Sequence, residues 1–300
     1  MRHRLWVIGA APLIPLLIGS AVNIWYNLTQ IEPLLTTAQR ERFVAITTVF
    51  NVAVYPPLLL AWIAILLSLR NPLHRLERGE PVDAIRLEKV RRRSINLPWW
   101  AVVLGGAGWL ACIPVFLAGL AAHPDPLDPR VYAHLPISFL ISGLIAVTHA
   151  FFIIELLTQR LLYPTFFRGG RPWATTGALA LSLRARGLLW AVSAGVCPIA
   201  SLLLLTIVPR VSDTPAFTLA VGLLGMAFGL TTAWLVGRLV TEPVPCAPAC
   251  RAGGGRRRSL RERAAAQSRR IRSPHRRLQH DGRRAPREDA DRGELRSSRR

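Results

Sequence analysis

Lysine is nearly absent from this chain, and cysteine is scarce. Only Lys89 among the 38 basic residues is a lysine, a bias typical of GC-rich coding DNA that carries little information about arginine chemistry. The four cysteines, two in apolar segments and two near the C-terminus, give no disulfide framework. Cys246 and Cys250 lack the further histidine or cysteine neighbours that would complete the roughly four ligands of a closed zinc site. The sequence therefore argues against a disulfide-stapled or zinc-stabilised module.

Charged residues are nearly absent from six long stretches in which the apolar residues are concentrated. Hydrophobic residues make up 51% of the chain and the mean hydropathy is +0.31, although the net charge is +21. A helix crosses the ~30 Å hydrocarbon core with roughly 20 apolar residues, and none of the stretches has the polar stripe of a soluble helix. The sequence predicts an all-α integral membrane domain over residues 1–240, with six transmembrane helices at about 5–28, 43–69, 98–121, 135–157, 187–208 and 216–240.

Basic residues in the loops predict the orientation of these spans. The alternate loops hold few of them. Most precede the first span or follow the second and the fourth: Arg2 and Arg4; then Arg70, Arg75, Arg78, Arg86, Lys89, Arg91, Arg92 and Arg93; then Arg160, Arg168, Arg171, Arg184 and Arg186. Positive residues stay on the cytoplasmic side, so both termini are expected to be cytoplasmic in a bacterial inner membrane. The lipid bilayer and anionic headgroups at its inner face are the predicted partners. The opposite loops are too short for a sizeable extracellular ligand domain.

Few polar residues lie inside the spans, and these are the first candidates for function. His149 and Glu155 in span four are six residues apart, so at 100° per residue they point to different faces and do not form a metal pair. A hydrogen bond to another helix is the favoured role of His149, with a pH sensor or a quinone or haem contact as alternatives. Glu155 is expected to pair with Arg160 or to reach the inner interface. Asn23 and Asn51 are expected to hydrogen-bond across the bundle.

A cofactor is not expected from these residues. A two-histidine haem needs a second axial histidine inside another span, and the remaining histidines lie in loops, helix ends or the C-terminal segment.

Small residues recur at four-residue spacing in span six. Gly225 and Gly229, followed by Ala233 and Gly237, place small side chains near one helix face, where another backbone can approach closely. Packing inside the bundle is the favoured role, and a homodimer seam is the alternative.

Span six runs into Gly237-Arg-Leu-Val-Thr241-Glu242-Pro243-Val244. This stretch resembles the entry to a HAMP linker, in which a proline follows the membrane helix and starts a parallel helical coil. Together with six spans and short outer loops, it resembles the membrane domain of bacterial membrane-anchored class III adenylate/guanylate cyclases over roughly residues 1–244. The resemblance implies a homodimer in which Thr241, Glu242 and Pro243 transmit motion of helix six to two catalytic subunits.

The resemblance ends at Val244, where the chain is expected to be truncated or frameshifted. A class III cyclase needs a catalytic domain with metal-binding aspartates, and no residue here matches one. The predicted function is therefore the membrane anchor and sensory input domain of a signal-transduction protein without its output, and no cyclase activity is predicted for this chain. The input half of a HAMP-containing sensor histidine kinase and a small six-helix transporter are the alternatives.

Residues 245–300 differ from the rest of the chain. They hold 18 arginines against six acidic residues, no aromatic residue and only four leucines or isoleucines. They cannot bury enough apolar surface to fold alone, so the sequence predicts a disordered basic tail. An out-of-frame translation of GC-rich DNA is the favoured explanation. A partnerless disordered tail and a basic tail that binds lipid or nucleic acid remain open. Specific nucleic-acid binding is not expected, since no aromatic side chain is present to stack on bases.

Overall fold

The computed structural model describes residues 2–167, 175, 177–179, 181–206 and 215–241. Of these residues, 87% are helical and none belongs to a β-strand. The helices are α1 (Arg2–Ala10), α2 (Leu13–Ile31), α3 (Thr37–Glu77), α4 (Ala84–Ile95), α5 (Leu97–Ala121), α6 (Pro129–Leu161), α7 (Tyr163–Phe166), α8 (Leu183–Ala191), α9 (Cys197–Leu204) and α10 (Pro215–Thr241). Glu242 and Pro243 of the predicted junction, and the basic segment 245–300, lie outside the described residues.

Six helical segments are long and apolar enough to cross a membrane, which confirms the predicted all-α fold class. They are His3–Leu34, Thr37–Glu77, Leu97–Ala121, Pro129–Leu161, Leu183–Leu204 and Pro215–Thr241. The chain is therefore a multi-pass membrane protein. Residue 3 and residue 241 lie on the same side of the bundle because six crossings separate them; we refer to this side as proximal and to the other as distal.

Two of the spans begin well before the apolar runs, because polar capping residues start them. Thr36 accepts a hydrogen bond from the Gln39 backbone N–H at 3.3 Å, and the Gln39 side chain accepts one from the Thr36 N–H at 3.1 Å. This capping box starts α3 at Thr37 rather than near residue 43. Asp128 accepts a hydrogen bond from the Arg130 N–H at 2.8 Å and starts α6 at Pro129 rather than near residue 135. The Arg130 guanidinium also lowers the pKa of Asp128.

Spans one and five are interrupted next to proline. Pro12 lies in the break between α1 and α2, and the indole N–H of Trp62 donates to the Gly9 carbonyl at 3.0 Å beside this break. In span five a π-helical turn, Val192–Val196, separates α8 from α9 just before Pro198. Proline has no N–H to donate, so a backbone carbonyl one turn earlier loses its partner. A local change of helix type or a side-chain donor can satisfy that carbonyl.

Helix α6 forms the centre of the bundle. About 67% of its apolar window is buried, against 28% or less in the other five spans. It packs against α5, α2, α9 and α10. Glycines allow the closest approaches: a Cβ atom on Gly143 of α6 would lie 2.8 Å from the Trp109 ring of α5, and one on Gly19 of α2 would lie 3.0 Å from Ala146.

The proximal side is closed by α4, α7 and the short described stretch 177–179. Arg91 of α4 donates to the Phe166 carbonyl at 2.8 Å and stacks over the Phe167 ring. Trp99 donates to the Leu179 carbonyl at 2.6 Å. Arg91, one of the basic residues of the predicted cytoplasmic loops, thus binds protein, whereas Arg92 and Arg93 are exposed.

Substitution of Gly143 tests the contact between α5 and α6. We expect Gly143→Ala to destabilise the bundle by about 1–3 kcal/mol, since the new methyl group would overlap the Trp109 ring and force a backbone shift. The matched control is Gly106→Ala on α5, because a Cβ atom there meets nothing within 4 Å. Thermal unfolding in detergent would compare the two, and equal stabilities would contradict the close packing.

Candidate functional site

His149 connects α6 to the last span, α10. Its Nδ1 lies 2.8 Å from the Ile145 carbonyl oxygen on its own helix. Its Nε2 lies 2.8 Å from the Thr232 hydroxyl, 3.3 Å from the Thr231 hydroxyl and 3.1 Å from the Phe228 carbonyl oxygen, all on α10. The Phe228 ring meets the imidazole edge-on at 5.4 Å. His149 therefore forms a helix–helix contact, which we call the His149 clamp.

The contact with Ile145 places a proton on one imidazole nitrogen. The Ile145 carbonyl can only accept, so Nδ1 donates to it. The Thr232 hydroxyl lies between Nε2 and the Phe228 carbonyl, 2.7 Å from that oxygen. The Thr232 hydroxyl therefore links the imidazole to the backbone of α10.

Gly225 and Gly229 lie at a close contact between α10 and span five. A Cβ atom on Gly225 would lie 2.8 Å from the Pro198 ring, and one on Gly229 would lie 3.3 Å from the Ala194 carbonyl oxygen in the π-helical turn. Gly222 and Gly237 have open space around them. The GxxxG pair thus meets another helix of the same chain, and Thr241 ends α10 with its hydroxyl bound to the Gly237 carbonyl.

Glu155 forms a buried ion pair with Arg186 of α8. The sequence predicted that Glu155 pairs with Arg160 of the same helix or reaches the inner interface, whereas the structure pairs the carboxylate with a residue 31 positions away. Within the described part of the chain, Oε2 of Glu155 and Nε of Arg186 are buried and have no hydrogen-bond partner. Tyr163 lies beyond the end of the span beside this pair, and burial raises its pKa. Arg186 is thereby withdrawn from the headgroup contacts predicted for it, whereas Arg184 is exposed.

Asn23 belongs to a satisfied polar network between α2 and α6. Its amide donates to the Ser142 hydroxyl at 2.8 Å and to the Ser138 carbonyl at 3.2 Å. Asn27 donates to the Asn23 side-chain oxygen at 3.0 Å and accepts from the Ser138 hydroxyl at 2.8 Å. The predicted cross-bundle hydrogen bond of Asn23 therefore exists as part of a larger network.

His134 lies near this network and has no equivalent set of partners. It is fully buried, and its ring stacks on Tyr26 with a centroid distance of 5.6 Å. Neither ring nitrogen makes a hydrogen bond in the structure. The predicted span four begins one residue after His134, whereas α6 begins five residues before it.

A cavity of about 360 Å³, here named the lateral cavity, opens between α2 and α3 with α5 as its floor. Helix α2 packs on α6 and α3 packs on α5, but α2 and α3 scarcely touch. Gly105 and Gly108 leave space above α5, since a Cβ atom on either would lie 3.1–3.2 Å from a leucine of α2 or α3. The polar groups of its lining are Ser20, Asn23, Thr47, Asn51, Tyr55 and Cys112.

Asn51 faces this cavity instead of bonding across the bundle. The side chain is partly buried and makes no hydrogen bond to any residue that the structure describes. Thr47, Asn51 and Tyr55 follow one another at four-residue spacing along one face of α3, and Tyr55 faces Ser20 on α2. This spacing was visible in the sequence, but only the structure shows that the face lines a cavity.

Metal ligands are not grouped in this bundle. Within the described ranges, no three histidine, cysteine, aspartate or glutamate side chains come together.

Comparisons with known proteins return no family profile, no curated protein and no solved structure that matches the chain.

A double-mutant cycle tests the His149 clamp. We expect the His149→Phe and Thr232→Val substitutions to show a coupling energy of about 0.5–1.5 kcal/mol, because removal of either partner already breaks the hydrogen bond between α6 and α10. Unfolding in detergent or bicelles would give the four stabilities. The matched control pairs His149→Phe with Thr48→Val, whose hydroxyl bonds only the Val44 carbonyl of its own helix, and should show no coupling.

Removal of Arg186 tests the buried ion pair. Arg186→Met should destabilise the fold by about 3–5 kcal/mol, since Glu155 then remains buried without a counter-charge. The double variant Arg186→Met/Glu155→Gln should recover most of this loss. The control is Arg40→Met, because the Arg40–Glu32 pair is about half exposed and should contribute less than about 1 kcal/mol. Equal effects of the two arginine substitutions on the unfolding free energy would contradict a buried pair.

Proposed function

We propose that this chain is the membrane-embedded input domain of a signal-transduction protein, with a class III adenylate/guanylate cyclase as the favoured parent. The supporting observation is the attachment of α10. This last span is held at mid-helix by the His149 clamp and by Gly225 and Gly229, and it ends at Thr241, within the HAMP-like sequence. A helix that is held near its middle can tilt or rotate about that point and so move the segment that follows its C-terminal end.

We further propose a bacterial inner membrane with both ends in the cytoplasm. The exposed arginines of the proximal side support this orientation, since basic residues favour the cytoplasmic leaflet and its anionic headgroups: Arg92, Arg93 and Arg184. A homodimer is proposed from the cyclase resemblance. The outward face of α10 carries large exposed apolar side chains that a second copy can pack against: Leu219, Leu223, Met226, Leu230 and Trp234.

One observation supports each of the two alternatives to a cyclase input domain. The input half of a sensor histidine kinase would use the same α10 attachment and the same HAMP-like junction. A small transporter is favoured by the break at Pro12 and the π-helical turn before Pro198, since transporters build their sites from interrupted helices.

A fusion protein tests the input function. Residues 1–241 would be joined to the HAMP and catalytic portions of a membrane-anchored class III cyclase, with zero to four alanines inserted after Thr241. Each inserted residue turns the following helix by about 100°. We expect cyclic nucleotide formation in a cyclase-deficient bacterium to change several-fold with two insertions and to return toward the starting value with four.

The control fusion carries His149→Phe, which should alter the activity at zero insertions because α10 is released from α6. Activity that is indifferent both to the insertions and to this substitution would contradict the input function. Solute flux into vesicles that contain the full chain would then test the transporter alternative.

A further inference from the structure

We propose that the lateral cavity binds an uncharged lipophile that carries a planar ring with carbonyl groups, the chemistry of an isoprenoid quinone. Its volume of about 360 Å³ lies within the usual range of small-molecule sites. Because it opens between two membrane-spanning helices, a ligand reaches it from the bilayer rather than from water. Such a ligand would give the proposed input domain a stimulus, but the binding site does not depend on that function.

The charge of the lining selects against ionic lipids. Among the residues that the structure describes, no aspartate, glutamate, lysine, arginine or histidine lines the cavity. A carboxylate or phosphate placed here would have no counter-charge, and transfer of an unpaired ion into an apolar environment costs far more than transfer of a neutral group. Fatty acids and phospholipid headgroups are therefore poor ligands, whereas a neutral molecule fits.

The Asn51 amide supplies the specific polar contact. Asn51 lies eight residues into the apolar stretch that begins near residue 43, which is about 12 Å along the helix. An amide without a hydrogen bond at such a position is costly, since hydrocarbon offers no partner. A ligand carbonyl can accept from the Asn51 N–H groups, and the Tyr55 hydroxyl lies one helical turn further along the same face.

Aromatic side chains build the wall against which a planar ring would lie. Phe116 packs edge-on to Phe50 at 6.0 Å and contacts Phe139 at 5.0 Å, and Trp109 lies 6.5 Å from Phe139. All four line the cavity. Stacked or edge-on rings add attraction beyond the area they bury, so this wall favours a ring over a saturated acyl chain.

A second copy of the chain is a poorer partner for Asn51. The neighbouring Val49 and Val52 are about 70% exposed and form the outward face of α3, whereas Asn51 points to the cavity side. Another helix that docked on α3 would meet the valines and not the amide.

The experiment measures binding of decylubiquinone to the full chain in nanodiscs made from quinone-free lipid. Trp62 and Trp109 line the cavity, so a bound quinone should quench part of the tryptophan fluorescence in a saturable manner, whereas collisions in the bilayer give a linear dependence on quinone. We expect Asn51→Leu to weaken the saturable component about three- to tenfold, since a buried hydrogen bond is lost. Decylbenzene, which has the ring and tail without carbonyl groups, should compete poorly.

Two further variants complete the test. Val52→Leu, on the outward face of the same helix turn, should bind like the wild type, and Ser20→Phe, which fills the cavity, should abolish saturable quenching. Without quinone, Asn51→Leu should melt no lower than the wild type, because it removes an amide that lacks a partner.

The proposal is overturned if the wild type shows no saturable quenching or if Asn51→Leu binds equally well. It is also overturned if Asn51→Leu lowers the melting temperature without quinone, since that would mean that the amide is bonded to protein.

Discussion

The bundle depends on one constraint, which is that polar groups inside the bilayer must find their partners within the protein. Helix α6 meets this constraint for most of its neighbours. Ser138 and Ser142 bind the asparagines of α2, His149 binds α10, and Glu155 binds α8. Because apolar side chains are no better solvated by each other than by lipid, such polar contacts and close glycine packing fix which helices lie side by side.

The number and approximate positions of the spans were predictable from the sequence, because span length and apolar composition are local properties. Their starts were not, since Thr36 and Asp128 extend α3 and α6 through polar caps that hydropathy does not register. The partners of the polar residues were also beyond the sequence. The sequence did predict that His149 bonds another helix. The pairing of Glu155 with Arg186 and the lack of a partner for Asn51 in the described chain depend on which helices are neighbours.

The glycines of α10 show why spacing alone could not decide between internal packing and a dimer seam. Gly225 and Gly229 contact span five because Pro198 and the π-helical turn bring that backbone close. Gly222 and Gly237 have the same side chain but face open space. Since a four-residue repeat only places small residues on one side of a helix, the choice of partner depends on the tertiary fold.

The contrast between Asn23 and Asn51 separates structural from functional polarity in this bundle. Asn23 is buried, with its amide bonded to Ser138 and Ser142, and its removal would leave those groups without a partner. Asn51 sits at a comparable place in a neighbouring span but has nothing to bond in the described chain. A membrane protein gains no stability from an unpaired amide. Its position at the wall of an uncharged, aromatic cavity that opens to lipid is therefore best explained by a ligand that supplies the missing acceptor.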